Sequence, residues 1–150
     1  GYHRIVNLDG HALSPQQIRS ALTALPEVQI TEEHTEGRGH IQMKGPLKVC
    51  LSVDLSAQDL TLPEWLQARV LSPIFDIGEP RTDRRLKCVT DDELKAWKAR
   101  PGDLAFVMPP MEFDGLQAVA DAHRHMPPKS TWIAPKLRSG LVLFDFDPAI

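Results

Sequence analysis

Apolar positions alternate most strictly from Leu47 to Val53, where Leu47, Val49, Leu51 and Val53 oppose Lys48, Cys50 and Ser52. That two-residue period is the mark of a half-buried strand. Gly39 to Lys44 precedes it across Gly45-Pro46, and the pair predicts a β-hairpin with one wet face. Elsewhere the period is helical. Ser14-Pro15-Gln16-Gln17 combines an N-cap, a proline at the first helical position and a capping-box glutamine, and Ile18, Ala21, Leu22 and Leu25 follow on one face up to Pro26. Thr61-Leu62-Pro63-Glu64 opens a second helix carrying Trp65, Leu66, Ala68 and Val70, with Pro73 as its expected stop. Thr90-Asp91-Asp92-Glu93 opens a short third helix with Leu94 and Trp97 that should end at Pro101-Gly102. Asp114 caps a fourth, whose Leu116, Val119, Ala120 and His123 share a face before Pro127-Pro128.

Between these helices, Tyr2 to Leu8, Val28 to Thr31 and Leu86 to Val89 read as strands. Leu104 to Met108 is continuously apolar, as a central strand buried on both faces should be. Two last strands are expected around Ser130 to Ala134 and Leu141 to Phe146, joined through Pro135 to Gly140. Four helices among about eight short strands predict an α+β fold: a single-domain α/β sandwich with a mixed, mostly antiparallel sheet, plausibly containing split β-α-β units. No linker divides residues 1–150, which are read as one domain.

Composition narrows the partners. The 150 residues are 42% apolar and 25% charged, a balance that supports a sizeable core. Seventeen basic and 20 acidic residues leave a net charge of −3, which argues against a chain-wide partnership with nucleic acid or an anionic membrane. No apolar run approaches the ~20 residues of a membrane span, and no basic segment with an apolar stretch behind it opens the chain, so a cytoplasmic location is expected. Cys50 and Cys88 are expected to be reduced side chains.

Two connections are locally basic. Met126-Pro127-Pro128-Lys129-Ser130-Thr131 places an ammonium, two hydroxyls and several peptide N–H groups after a helix stop, with Lys136 and Arg138 close behind. Those groups suit phosphate or carboxylate, while the plainer reading is a solvated turn with ordinary surface lysines. It is not a nucleotide-hydrolase P-loop, because prolines stand where glycines must let the backbone wrap phosphate. The second connection, Gly78 to Arg85, carries Arg81, Arg84 and Arg85 around Asp83. It could clamp an anionic ligand, or Asp83 could pair with a neighbouring arginine and hold the turn. The six histidines show no zinc spacing, and no serine sits in a Gly-x-Ser-x-Gly elbow.

Three segments together carry a resemblance: His3-Arg4-Ile5-Val6; Leu71-Ser72-Pro73-Ile74 through Asp83-Arg84-Arg85; and Met126-Pro127-Pro128-Lys129-Ser130-Thr131-Trp132 through Pro135-Lys136-Leu137-Arg138-Ser139-Gly140-Leu141. The combination resembles the C-terminal portion of the uncharacterised family called domain of unknown function 1015, many of whose longer members are labelled SpoOJ/ParB-like. The Gly-His-His-Arg-type motif that such members carry upstream is absent here, and Val89 runs directly into Thr90-Asp91-Asp92-Glu93 where the family has a glycine pair and a longer connection. ParB-like relatives include kinases of free serine. The resemblance therefore implies a substrate- or phosphate-binding accessory domain of a small-molecule phosphotransferase, lacking the catalytic half. Arg81, Asp83, Arg84, Lys129, Ser130, Thr131, Lys136 and Arg138 would face the anion, and ATP or ADP would bind only together with the missing region. Convergence of Arg81, Lys129, Lys136 and Arg138 on phosphate is the chemical requirement. The alternative is a non-catalytic interaction or oligomerisation domain, docking through the 126–138 loops and Trp132 to the missing N-terminal region or a second copy. DNA binding, suggested only by the ParB label, is disfavoured by the pI of 6.1 and the lack of a helix-turn-helix.

Overall fold

The computed structural model describes residues 2–10, 13–33, 37 and 39–131. Six strands, β1 (Tyr2–Asn7), β2 (Val28–Thr31), β3 (His40–Lys44), β4 (Cys50–Val53), β5 (Leu86–Thr90) and β6 (Asp103–Val107), form one sheet in the order β2-β4-β3-β6-β1-β5. Every neighbouring pair is antiparallel, so the sheet, expected to be mixed and mostly antiparallel, is antiparallel throughout the described residues. The β1-helix-β2 opening does not make a parallel pair, because β6, β3 and β4 are inserted between its two strands. The hairpin is present, with Ile41 opposite Leu51. β6 lies between β3 and β1, the central position that its apolar run requires.

Four helices lie among the described residues, giving the expected α+β class. They are α1 (Pro15–Thr23); α2, made of contiguous stretches Leu62–Trp65, Leu66–Leu71 and Ser72–Phe75; α3 (Asp91–Ala96); and α4 (Phe113–Asp121). All three capping boxes form, at Ser14/Gln17, Thr61/Glu64 and Thr90/Glu93. Pro73 does not stop α2. The turn before it is a wide π-turn, in which the Ser72 N–H reaches back to the Gln67 carbonyl, and this spacing accommodates the proline ring that a regular helix would exclude. The helix ends three residues later, where Asp76 takes a left-handed φ of 55° and the Ile77 N–H bonds the Leu71 carbonyl. α3, in contrast, is shorter than expected, since Trp97 is already extended.

One face of the sheet holds the core. Val6, Leu104, Phe106, Met43, Leu51 and Val53 pack there with Ile18 and Leu22 of α1 and Trp65, Leu66, Val70, Leu71 and Phe75 of α2. Phe75 meets Phe106 edge to face, with ring centres 6.0 Å apart. The other face is not wet throughout, because His3, Ile5, Ala105 and Cys50, which alternate onto it, are all buried. Cys50 and Cys88 lie on opposite faces and four strand positions apart, roughly 19 Å, far beyond disulfide reach. No helix among the described residues is long and apolar enough to cross a membrane. Ser130 and Thr131 are not in a strand, and the last two expected strands otherwise fall outside the described residues.

Candidate functional site: a concave loop over a buried arginine

The site begins where α4 ends. His123 adopts a left-handed φ of 52°, and the Arg124 N–H bonds the Val119 carbonyl, turning the chain sharply off the helix. Arg124 then straps this turn to the start of α2: Nη1 donates to Glu64 Oε1 at 3.1 Å and Nη2 to Asp59 Oδ1 at 3.3 Å. The other Glu64 oxygen accepts the Thr61 N–H and hydroxyl, each at 2.8 Å, so this buried carboxylate is fully engaged. Arg124 Nε is buried without a hydrogen-bond partner among the described residues.

Beyond the strap, the two prolines at 127 and 128 provide no N–H, and Lys129 is left-handed with φ 52°. The loop is held from below by Arg4. This residue sits on the core face of β1 between Cys88 and Phe106 and is only 4% exposed. Its Nη2 donates to the Pro128 carbonyl at 2.9 Å and its Nη1 to the Lys129 carbonyl at 3.1 Å, with longer bonds to the Ser130 hydroxyl and the His3 carbonyl. Ser130 Oγ in turn donates to the Pro127 carbonyl at 2.6 Å. Among the described residues Arg4 has no carboxylate partner. Burial pulls its pKa below the ordinary guanidinium value, but a guanidinium remains charged in a protein, so a positive charge lies beneath the loop.

With its carbonyls on Arg4 and its hydroxyl on Pro127, the loop leaves other donors over. The N–H groups of Lys129, Ser130 and Thr131 bond no described residue. These residues line a cavity of about 490 Å³ whose described polar lining comes from Tyr2, Arg124, His125, Lys129, Ser130 and Thr131, with no Asp or Glu among the described lining residues. Arg124 on this lining is paired with Glu64 and Asp59, and Glu93 senses the charge of Lys129, its carboxyl being held below its usual range mainly by the Thr90 N–H. A concavity lined by a lysine, hydroxyls and peptide N–H groups without a described partner is suited to an oxyanion.

The expected site residues separate into two groups. Lys129, Ser130 and Thr131 line this cavity, whereas Arg81, Asp83 and Arg84 do not. The 79–85 turn is tied to the far end of β1, where the Asn7 N–H bonds the Arg85 carbonyl at 2.8 Å. Asn7 is three residues, roughly 10 Å, along the strand from Arg4. Asp83 is bound to Arg85 through both oxygens, at 3.0 and 2.6 Å, which holds its carboxyl below the usual range. The same guanidinium donates to the Phe75 and Asp76 carbonyls at 3.0 and 2.7 Å, so it caps the C-terminus of α2. Arg81 and Arg84 are exposed. Lys136, Arg138 and Trp132 lie outside the described residues.

His3 and Arg4, which carry part of the family resemblance, were given no site role by the sequence. Their signal was two adjacent polar residues, followed by apolar Ile5 and Val6, inside a strand. His3 Nδ1 accepts the Met108 N–H at 3.0 Å, which places the ring proton on Nε2, facing Asp91 Oδ1 at 3.1 Å. Burial lowers the His3 pKa, with Asp91 opposing the shift, and the neutral ring joins β1 to the end of β6 and the start of α3. No family model, curated protein or solved structure matches the chain.

Proposed function

We propose that the Met126–Thr131 loop binds a phosphate-type oxyanion and that the chain serves as the substrate- or phosphate-facing wall of a small-molecule phosphotransferase. The reading rests on one observation: among the described residues the loop cavity is lined by Lys129, Ser130, Thr131 and His125, with no Asp or Glu in the lining and with Arg124 already paired to Glu64 and Asp59, above a buried Arg4 that has no acidic partner. Peptide N–H groups and an ammonium fixed around a concavity favour a dianion over a monovalent ion. The phosphotransferase part rests on the resemblance to domain of unknown function 1015 and its ParB-like relatives. In that role the 126–131 loop would stabilise charge on a bound or transferring phosphate without Arg81, which does not converge on the cavity as the resemblance required, while the reacting groups would come from another region.

Thermal unfolding in graded phosphate tests the binding. The parent protein should gain stability with phosphate concentration, and Lys129→Ala should flatten the response. An identical response in both proteins would place phosphate elsewhere.

A further inference from the structure

A second cavity, about 310 Å³, adjoins the loop cavity and shares three of its lining residues, Tyr2, Arg124 and Ser130. It lies between the start of α2, the β6–α4 connection and α4. Its chemistry is different. Leu55, Leu62, Met108, Pro109 and Met111 supply much of the wall, and the volume is about twice that of a cavity known to hold benzene. Asp59, Glu112 and Asp114 also line it, so a second anionic group would be repelled from this end.

Gly115 lines this space. It lies within α4, where glycine costs roughly 1 kcal/mol relative to alanine. Its φ is not in the left-handed region, so the backbone does not require glycine. A Cβ there would stand 3.9 Å from Thr61 Cγ2, an ordinary contact, and any longer side chain would extend between α4 and α2.

We infer that the two cavities form one composite site for a phosphate monoester with an uncharged, ring-sized apolar substituent. The phosphate would sit against Lys129, Ser130 and Thr131 and the substituent beside Gly115. This rests on the anion reading above and adds the class of its ligand.

Calorimetric titration of the whole chain with inorganic phosphate and with phenyl phosphate tests both levels. Phenyl phosphate should bind at least about tenfold more tightly than inorganic phosphate, because ring burial adds to the same anion contact. Gly115→Leu should bring the two within about threefold of each other without changing the affinity for inorganic phosphate, and Lys129→Ala should weaken both. Ala118→Leu, an exposed position on the same cavity, provides the same test if Gly115→Leu fails to fold. Equal binding of both ligands by the parent would overturn the composite site and leave the anion loop standing. A phenyl phosphate preference that survives both cavity-filling variants would also overturn it. Absence of binding by either ligand would remove the anion reading and, with it, this inference.

Discussion

The two basic connections look alike in sequence and differ in what the fold does with their charge. In the 79–85 turn, Arg85 is bonded on one side to Asp83 and on the other to the last carbonyls of α2, while Arg81 and Arg84 remain on the surface. In the 126–131 loop, the carbonyls are directed onto buried Arg4, and Lys129 and three peptide N–H groups have no described partner. The arginine-rich 79–85 turn and the 126–131 loop thus form separate candidate anion surfaces, and the turn spends Arg85 on its own fold. What matters is whether the fold leaves donors over, in a concave place, after its own acceptors are satisfied.

The strongest way to break this contrast is Arg4→Ala. It strips the Pro128 and Lys129 carbonyls of their donor and should lower stability by about 3 kcal/mol in denaturant unfolding, and phosphate should no longer stabilise the variant. The next effect comes from a charge wholly engaged inside the fold. Burial alone would raise the Glu27 pKa, but hydrogen bonds from Arg69 at 2.9 Å and Trp65 at 3.0 Å hold it at about 2, against an ordinary 4.5. Because the folded value is depressed, the contribution is complete above pH ~4.5 and is lost as pH falls toward 2. It should amount to about 3 kcal/mol, and Glu27→Gln should flatten that part of the stability-pH profile. Asp83→Asn, which loosens the Arg85 cap, should cost about 1 kcal/mol in the same unfolding assay and leave phosphate binding unchanged. Arg81→Ala and Arg84→Ala should each change stability by less than about 0.5 kcal/mol, with phosphate binding again unaltered.

Local signals in the sequence were read well where they depend only on near neighbours. The capping boxes at Ser14, Thr61 and Thr90 form because donor and acceptor are three residues apart and need no tertiary help. The central place of β6 followed from its unbroken apolar run. Pro73 misled because a proline stops only a regular helix, and the π-turn ahead of it depends on how Leu66 to Leu71 pack. The sheet order could not be read, since alternation fixes which face is buried and not which strand lies alongside. Half of the site was legible: Lys129, Ser130 and Thr131 are a contiguous motif. Arg4, which holds that motif down, contacts residues 124 to 126 positions away, and no spacing rule connects them.

Amide chemical shifts recorded during a phosphate titration would test the central contrast most directly. The account predicts saturable shifts at Lys129, Ser130 and Thr131 that disappear in Lys129→Ala, with residues 81 to 85 unmoved. Saturable shifts at Arg81 and Arg84, with the 129–131 amides silent, would contradict it and place the anion on the other turn.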